Sequence, residues 1–442
     1  MTALKIIVLL IGDIVMLYAA LVGALLIRYG GDFSRELAEH HMAPFSLIFA
    51  VWILLFYAAG LYDLRRLRNG LEFFKTLLLA LAANALVAIT LFYLIPFFGI
   101  APKTNLFLFL GLFAMLEVAW RRFWNAHAAK GAPNKVILIG NGEGAAEVEE
   151  VIARNPQLGY ALVRRFASSS TAVRAPGALR EEIAASGANL VVVDHRLKEA
   201  PSLNRELYAL LRTGAEIKDL ASFYESLFKK IPLSEIAEEW VLQNAAEQHR
   251  FYDPLKRAFE LIAALALFLA LLPLNLLLGF LIILTSRGPA IYRQTRVGKY
   301  GTEFTLYKFR TMRNDAERHG PQWSGPDDAR VTPVGKLLRH THLDELPQLW
   351  NILRGDLSFV GPRPERPEFV RELKDKIPYY EIRLLVQPGV TGWAQINHRS
   401  DRSTEDVAEK LKYDIYYVKN RSPILDVAII LRTLKTLFVT PK

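Results

Sequence analysis

Cysteine is absent from the 442-residue chain, which excludes disulfides and thiolate metal sites and leaves the redox compartment unread. Histidine is sparse, with nine scattered residues, so imidazole-based catalysis has little support. A secretory pattern is missing as well: the first apolar run begins soon after Lys5, exceeds a signal-peptide core and meets no small-residue cleavage pattern before the next run. No heptad or symmetric patch argues for self-association, so a homodimer stays open. Charge is plentiful. The net +10 suits nucleic acid, anionic lipid or phosphorylated substrates alike, and does not by itself choose among them. Hydrophobic residues make up 52% and mean hydropathy is +0.18, too apolar for an ordinary soluble chain. A membrane protein of about three domains is expected from the length.

Four apolar runs, near Ile6–Ile27, Pro44–Leu61, Phe73–Ile95 and Asn105–Ala119, each approach the length that crosses ~30 Å of hydrocarbon. Arg65, Arg66, Arg68 and Lys75 lie between the second and third runs, and Arg121, Arg122, Lys130 and Lys135 follow the fourth. The positive-inside rule then puts both ends of a four-helix bundle, residues 1–130, in the cytoplasm. Asp13 and Glu117 fall in or near spans, where ionisable groups are usually paired. Interhelical hydrogen bonding is the plainer expectation, and transport the sharper one.

At Asn134 the pattern changes. Lys135 to Ile139 reads as a buried strand, followed by Gly140-Asn141-Gly142-Glu143-Gly144-Ala145 and a helical run to Arg154. This is the GxGxxA form of a dinucleotide-binding turn, and a second strand at Asn189–Asp194 supports a Rossmann-like α/β domain over residues 131–250. The acid that should hold a ribose is missing, because Tyr160–Ser170 carries arginines and serines instead. A degenerate module that regulates, binds a nucleotide or spaces the parts is the expectation.

After a break at Tyr252-Asp253-Pro254, an apolar segment runs from Ala258 to Thr285 between basic flanks, with Pro273 near its middle. A full crossing would strand the remainder outside, whereas a kink at the proline lets residues 258–285 enter and return to the same face. Ile291–Arg310 reads as a hairpin carrying Arg293, Arg296, Lys308 and Arg310, which on pattern alone is a solvated face. Near the end, Gln387 to Gln395 is a turn-rich loop in which Trp393 is packed, stacked on a base or placed at a membrane boundary. Ile424–Val439 reads equally as an interfacial or a core-facing helix.

The stretch Leu337–Glu365, LLRHTHLDELPQLWNILRGDLSFVGPRPE, carries the chemistry. Asp344 reads as the N-cap of a helix with Pro347 in its first turn and Gly355 at its end. An ordinary capped helix is the plain alternative. Arg363 stands between two prolines, a rigid presentation suited to clamping phosphate. LDELPQLWN and GPRP, together with QxRxG and KFR in the hairpin and PGxTGWAQ, resemble the bacterial polyprenyl-phosphate sugar-1-phosphate transferases. The resemblance covers Tyr252–Lys442 and, more loosely, the two preceding parts. His342 departs from that family's usual small hydroxyl residue, and Glu260 stands where Asp is common.

The resemblance implies a third, mixed α/β monotopic catalytic domain, residues 251–442, with a re-entrant helix, at the cytoplasmic face of a bacterial inner membrane. It implies transfer of a sugar 1-phosphate from a UDP-sugar to polyprenyl phosphate, with UMP released. Asp344 is then the nucleophile and Glu345 the ligand of Mg²⁺, because a diphosphate repels a bare carboxylate. Arg363, Arg339, Arg310, Lys308, Arg296, Arg293 and Gln395 are the expected phosphate or substrate contacts. Nucleic acid is not an expected partner. A tethered NAD-dependent epimerase or dehydratase needs a Tyr-x-x-x-Lys helix, which neither Tyr413 (followed by Tyr417) nor Tyr300 (followed by Phe304) supplies. A non-catalytic scaffold for polysaccharide assembly would survive Asp344→Asn unchanged.

Overall fold

The structure, a computed structural model, describes residues 2–30, 35–67, 69–94, 103–127, 133–167, 177–194, 201–211, 214–236, 238, 240, 241, 251–313, 328, 330–398 and 403–438. It divides into two compact units, Met1–Leu227 and Phe228–Lys442.

The first unit begins with four helices, α1 (Thr2–Tyr29), α2 (Arg35–Ala59), α3 (Leu71–Leu94) and α4 (Lys103–His127). Leu4–Tyr29, His41–Ala59 and Leu71–Phe92 are long and apolar enough to cross a membrane, so the chain is membrane-associated. The fourth expected span is a helix but not an apolar span. Glu117 falls within the expected run Asn105–Ala119, Lys103, Arg121 and Arg122 lie on the same helix at its two ends, and Arg121 is fully buried against α1. There Arg121 pairs with Asp13 and with Glu117, while Tyr62 Oη–H and Trp120 Nε1–H also donate to Asp13. The expected pairing of the two acids thus takes the form of a buried ion cluster.

A parallel sheet follows, ordered β2-β1-β3-β4, from β1 (Asn134–Ile139), β2 (Tyr160–Phe166), β3 (Leu190–Val193) and β4 (Glu216–Asp219). Its helices are α5 (Glu143–Arg154), α6 (Ala178–Ser186), α7 (Pro201–Leu211) and α8 (Leu220–Phe228). Ile137, Ile139, Val191 and Val193 form one packed face with Leu179, Ile183 and Leu210, as expected of strands covered by helices. Arg165, at the end of β2, donates from Nε to the Gly140 carbonyl and pairs with Glu149.

The second unit opens with α9 (Tyr252–Ala270) and α10 (Leu272–Thr285), bent by 58° at Leu271. The helix starts at Tyr252, where a break was expected, because Pro254 fits the first turn and Asp253 is held by Arg421 at 2.9 Å. Pro273 stands in the first turn of α10, and Asn275 Nδ2 donates to the Leu271 carbonyl at the bend. The hairpin of β5 (Ile291–Val297) and β6 (Glu303–Phe309) is antiparallel, as its alternation predicts. Leu306 packs with Ala264, Leu349 and Ile352, while Phe309 packs with Leu278, Ile282 and Leu338. The strand is therefore wedged between α9 and α12 (Gln348–Arg354) on one side, and α10 and α11 (Pro333–Thr341) on the other. Two short parallel strands, β7 (Ser358–Val360) and β8 (Gly389–Thr391), join the GPRP and PGVTG loops. The remaining helices are α13 (Pro367–Lys376), α14 (Trp393–Asn397), α15 (Thr404–Asn420) and α16 (Pro423–Phe438).

Candidate active site

Asp344 is not an N-cap. Helix α11 ends at His342, which takes the left-handed conformation (φ 56°), and Leu343–Glu345 then forms a separate 3-10 turn. Helix α12 starts only at Gln348, capped by Pro347, and stops at Gly355 (φ 90°) as its sequence predicts. The left-handed His342 turns the chain so sharply that both acids fall in the connection rather than on the following helix.

Lys308, from the end of β6, meets Glu345 Oε1 at 2.7 Å, and Arg363 Nη2 reaches the same oxygen at 3.4 Å. Three segments distant in sequence converge here. Burial pushes the Glu345 carboxyl upward, but Lys308 and Arg363 outweigh it and hold the group at about 2. Lys308 is itself lowered by burial, yet a cation facing an anion at 2.7 Å makes the ionised pair the state that counts. Asp344 moves the other way: burial lifts it above its ordinary 3.8, Lys308 opposes the rise and Glu345 adds to it. Two neighbouring carboxyls are thereby driven apart, one firmly ionised and one reluctant.

Asn351, which closes the LDELPQLWN string, is fully buried and treats β6 as a strand partner. Its Oδ1 accepts from the Tyr307 amide and its Nδ2 donates to the Thr305 carbonyl and to Asp356. This fixes the strand that presents Lys308. Arg257 donates to the carbonyls of Ile352 and Leu353, satisfying the end of α12. Glu260 Oε1 accepts from Ser358 Oγ and the Phe359 amide, tying α9 to the strand before the GPRP loop. A buried asparagine inside an apolar helical string was the available signal for Asn351.

The expected phosphate contacts separate into groups. Arg339 lies in the last turn of α11, its Nε held by Thr311 Oγ1 at 2.9 Å. Arg310 is buried beside Ser286, to which Nη2 donates twice, and among the described residues its Nε and Nη1 meet no protein acceptor. Arg296 is committed elsewhere: Nε and Nη2 bind Gln294, and Nη1 binds the Pro364 carbonyl. Arg293 projects from the opposite strand face, over the Tyr307 ring, because positions three apart on a strand point in opposite directions. Gln395 Nε2 donates to the Val390 carbonyl, and its buried Oε1 meets no donor among the described residues. Trp393 is packed, with Nε1 on the Lys229 carbonyl and Arg432 across its ring.

Among the described residues no three of His, Cys, Asp and Glu converge as a metal site. Glu345 fits a hard cation in part. Both basic partners occupy Oε1, so Oε2, with Asp344 beside it, offers carboxylate oxygens to a metal whose remaining ligands come from phosphate or water.

Residues 251–440 match the family described as bacterial sugar transferase. Over 190 residues, the chain is 39% identical to a UDP-glucose:undecaprenyl-phosphate glucose-1-phosphate transferase of Caulobacter vibrioides, covering 42% of this chain and 71% of that protein. The chain belongs to the bacterial sugar transferase family. Another bacterial sugar transferase relative, the UDP-N-acetylgalactosamine-undecaprenyl-phosphate N-acetylgalactosaminephosphotransferase of Aeromonas hydrophila, is 35% identical over 264 residues. That match takes in 55% of this chain but 62% of the relative, so the chain spans less than two thirds of the Aeromonas protein's length. A UDP-glucose:undecaprenyl-phosphate glucose-1-phosphate transferase of Xanthomonas campestris pv. campestris is 28% identical over 332 residues, 71% of this chain and 68% of that one.

Proposed function

We propose that the chain transfers a sugar 1-phosphate from a UDP-sugar to undecaprenyl or a related polyprenyl phosphate, as the membrane-committed first step of surface polysaccharide assembly. The observation that carries this reading is the convergence of Lys308 and Arg363 on Glu345, beside an acid of raised proton affinity. Ionised Asp344 attacks the sugar-side phosphorus; the bond to the bridging oxygen breaks, UMP leaves and a mixed acyl phosphate remains on Asp344. An oxygen of the carrier phosphate then attacks the same phosphorus, and the acyl bond breaks to return the carboxylate. Polyprenyl diphosphate sugar is the product.

Arg363, Arg339 and the unpartnered edge of Arg310 stabilise charge on the transferring phosphoryl oxygens. Glu345 would hold Mg²⁺, which when bound would neutralise charge on the diphosphate and leave Asp344 to attack. Arg293, Arg296 and Gln395 take no substrate in this scheme.

The bent pair α9–α10 serves as a re-entrant membrane element that sets the acids at headgroup depth. Helix α16 lies on the bilayer: Ile424, Val427 and Ile430 are exposed while Ala428 and Ile429 are buried. Residues 1–130, 131–250 and 251–442 act as bundle, Rossmann-like module and cytoplasmic-face catalytic domain. The parallel sheet with β1 between β2 and β3 fits a doubly wound α/β module, the glycine turn supports the Rossmann-like reading of it, and β2 ending in Arg164-Arg165-Phe166 argues against a ribose-binding acid there.

The test is UMP release by purified protein in nanodiscs with polyprenyl phosphate, Mg²⁺ and a panel of UDP-sugars. One donor should give carrier-dependent UMP, and Asp344→Asn should reduce it to background. With donor alone, wild type should retain phosphosugar mass on the peptide containing Asp344. Wild-type turnover by Asp344→Asn would overturn the mechanism.

A further inference from the structure

The loop that carries Arg363 contains two prolines and so has few amide donors of its own. Its carbonyls are held from outside by cations. Lys256 Nζ donates to the Val360 carbonyl at 2.7 Å, Arg383 Nη2 to that of Arg363 at 2.9 Å, and Arg296 Nη1 to that of Pro364 at 2.9 Å. The Gly389 amide takes the Pro362 carbonyl between them, and the Gly361 amide donates to Thr391.

Arg383 differs from the other two in what it touches. Its side chain is 5% exposed and every nitrogen is engaged: Nε and Nη2 on Asp414 Oδ2, Nη1 on Tyr380 Oη, and Nη2 also on the Arg363 carbonyl. Asp414 is buried on α15 and Tyr380 on the 3-10 segment Tyr380–Leu385, so the guanidinium is fixed on three sides. No face of it is left for a substrate. The Arg363 guanidinium, in contrast, is 38% exposed and meets Glu345 at 3.4 Å, the long end of a hydrogen bond. Where its backbone is held therefore bears directly on where this guanidinium meets the acid.

We propose that Arg383 is a positioning residue for Arg363: it grips the carbonyl of the residue whose guanidinium meets Glu345, and so determines where that guanidinium sits. The proposal rests on the transferase reading above. A displacement of about 1 Å at a phosphate-binding group can lower turnover about a hundredfold.

The experiment is a double-mutant cycle between Arg383→Lys and Arg363→Ala, read by UMP release and by hydrogen exchange of the intact protein in nanodiscs. Lysine keeps a cation for Asp414 but loses the fork that also reaches the carbonyl. Arg383→Lys should lower kcat about tenfold to a hundredfold with little change in donor KM. On the Arg363→Ala background the same change should alter kcat by less than about twofold. Exchange should quicken in peptides covering Gly361 and Gly389 while α15 stays protected. Equal factors in both backgrounds, or unchanged kcat, would overturn the proposal. If Arg383→Lys does not fold, Tyr380→Phe, which frees Nη1 alone, is read through the same cycle with a smaller expected factor. Wild type that releases no UMP from any donor sinks the transferase reading instead, and the exchange data then decide: an unmoved loop in Arg383→Lys refutes the positioning role.

Discussion

Replacing Lys308 by methionine keeps an unbranched side chain one atom shorter and removes its charge. The Glu345 carboxyl lies at about 2 against an ordinary 4.5, a difference worth about 3 kcal/mol at about 1.4 kcal/mol per pH unit. That figure already includes the opposing effect of burial, so the two cations together contribute more. Lys308 is the nearer, at 2.7 Å against 3.4 Å for Arg363. Without it, burial is opposed by Arg363 with a smaller contribution from His342, and the carboxyl should rise by about two pH units. Asp344 should rise too, since Lys308 now restrains it.

Because the folded-state value of Glu345 is depressed, its stabilisation is complete above the ordinary carboxylate range and is lost as pH falls towards about 2. Lys308→Met should therefore lower stability at neutral pH by about 1–3 kcal/mol, with the gap from wild type closing in acid. The assays are thermal unfolding in detergent across that pH range and the acid limb of kcat/KM for UMP release. The limb should move to higher pH, and Lys308→Arg should restore most of the shift. An unmoved limb together with a stability gap independent of pH would refute the electrostatic account.

Arg121→Met should destabilise the first unit by about 3–5 kcal/mol, because it leaves Asp13 and Glu117 buried without their cation; unfolding of wild type and variant in detergent measures this. Gly335→Ala should lower both stability, by about 1–3 kcal/mol, and turnover, because the added Cβ overlaps the Thr311 carbonyl where α11 crosses the end of the hairpin. Melting temperature and UMP release check it together, and an unaffected variant would show that the α11 contact tolerates separation.

Hydropathy and alternation were enough for the apolar helices, the hairpin and the glycine turn after β1, because those features depend on local periodicity. Charge at the end of such a pattern misled. The fourth apolar run lies in a helix, but Arg121 just after it, which read as a basic flank, serves a buried cluster whose partner Asp13 is more than a hundred residues away. The left-handed turn at His342 was nearly as hard to read, since a histidine is only a weak signal for a positive φ, and so Asp344 read as a helix cap.

By itself the sequence determined the membrane-associated class, the family, and the two stretches that hold the acids and Arg363, since each is a contiguous pattern. Only the tertiary structure decided which basic residues meet the acids. Lys308 and Arg296 stand on the same hairpin face, yet one reaches Glu345 and the other a proline carbonyl. That difference arises from where β6 is wedged between helices and where the GPRP loop crosses the hairpin, contacts between segments far apart in the chain that no local pattern encodes.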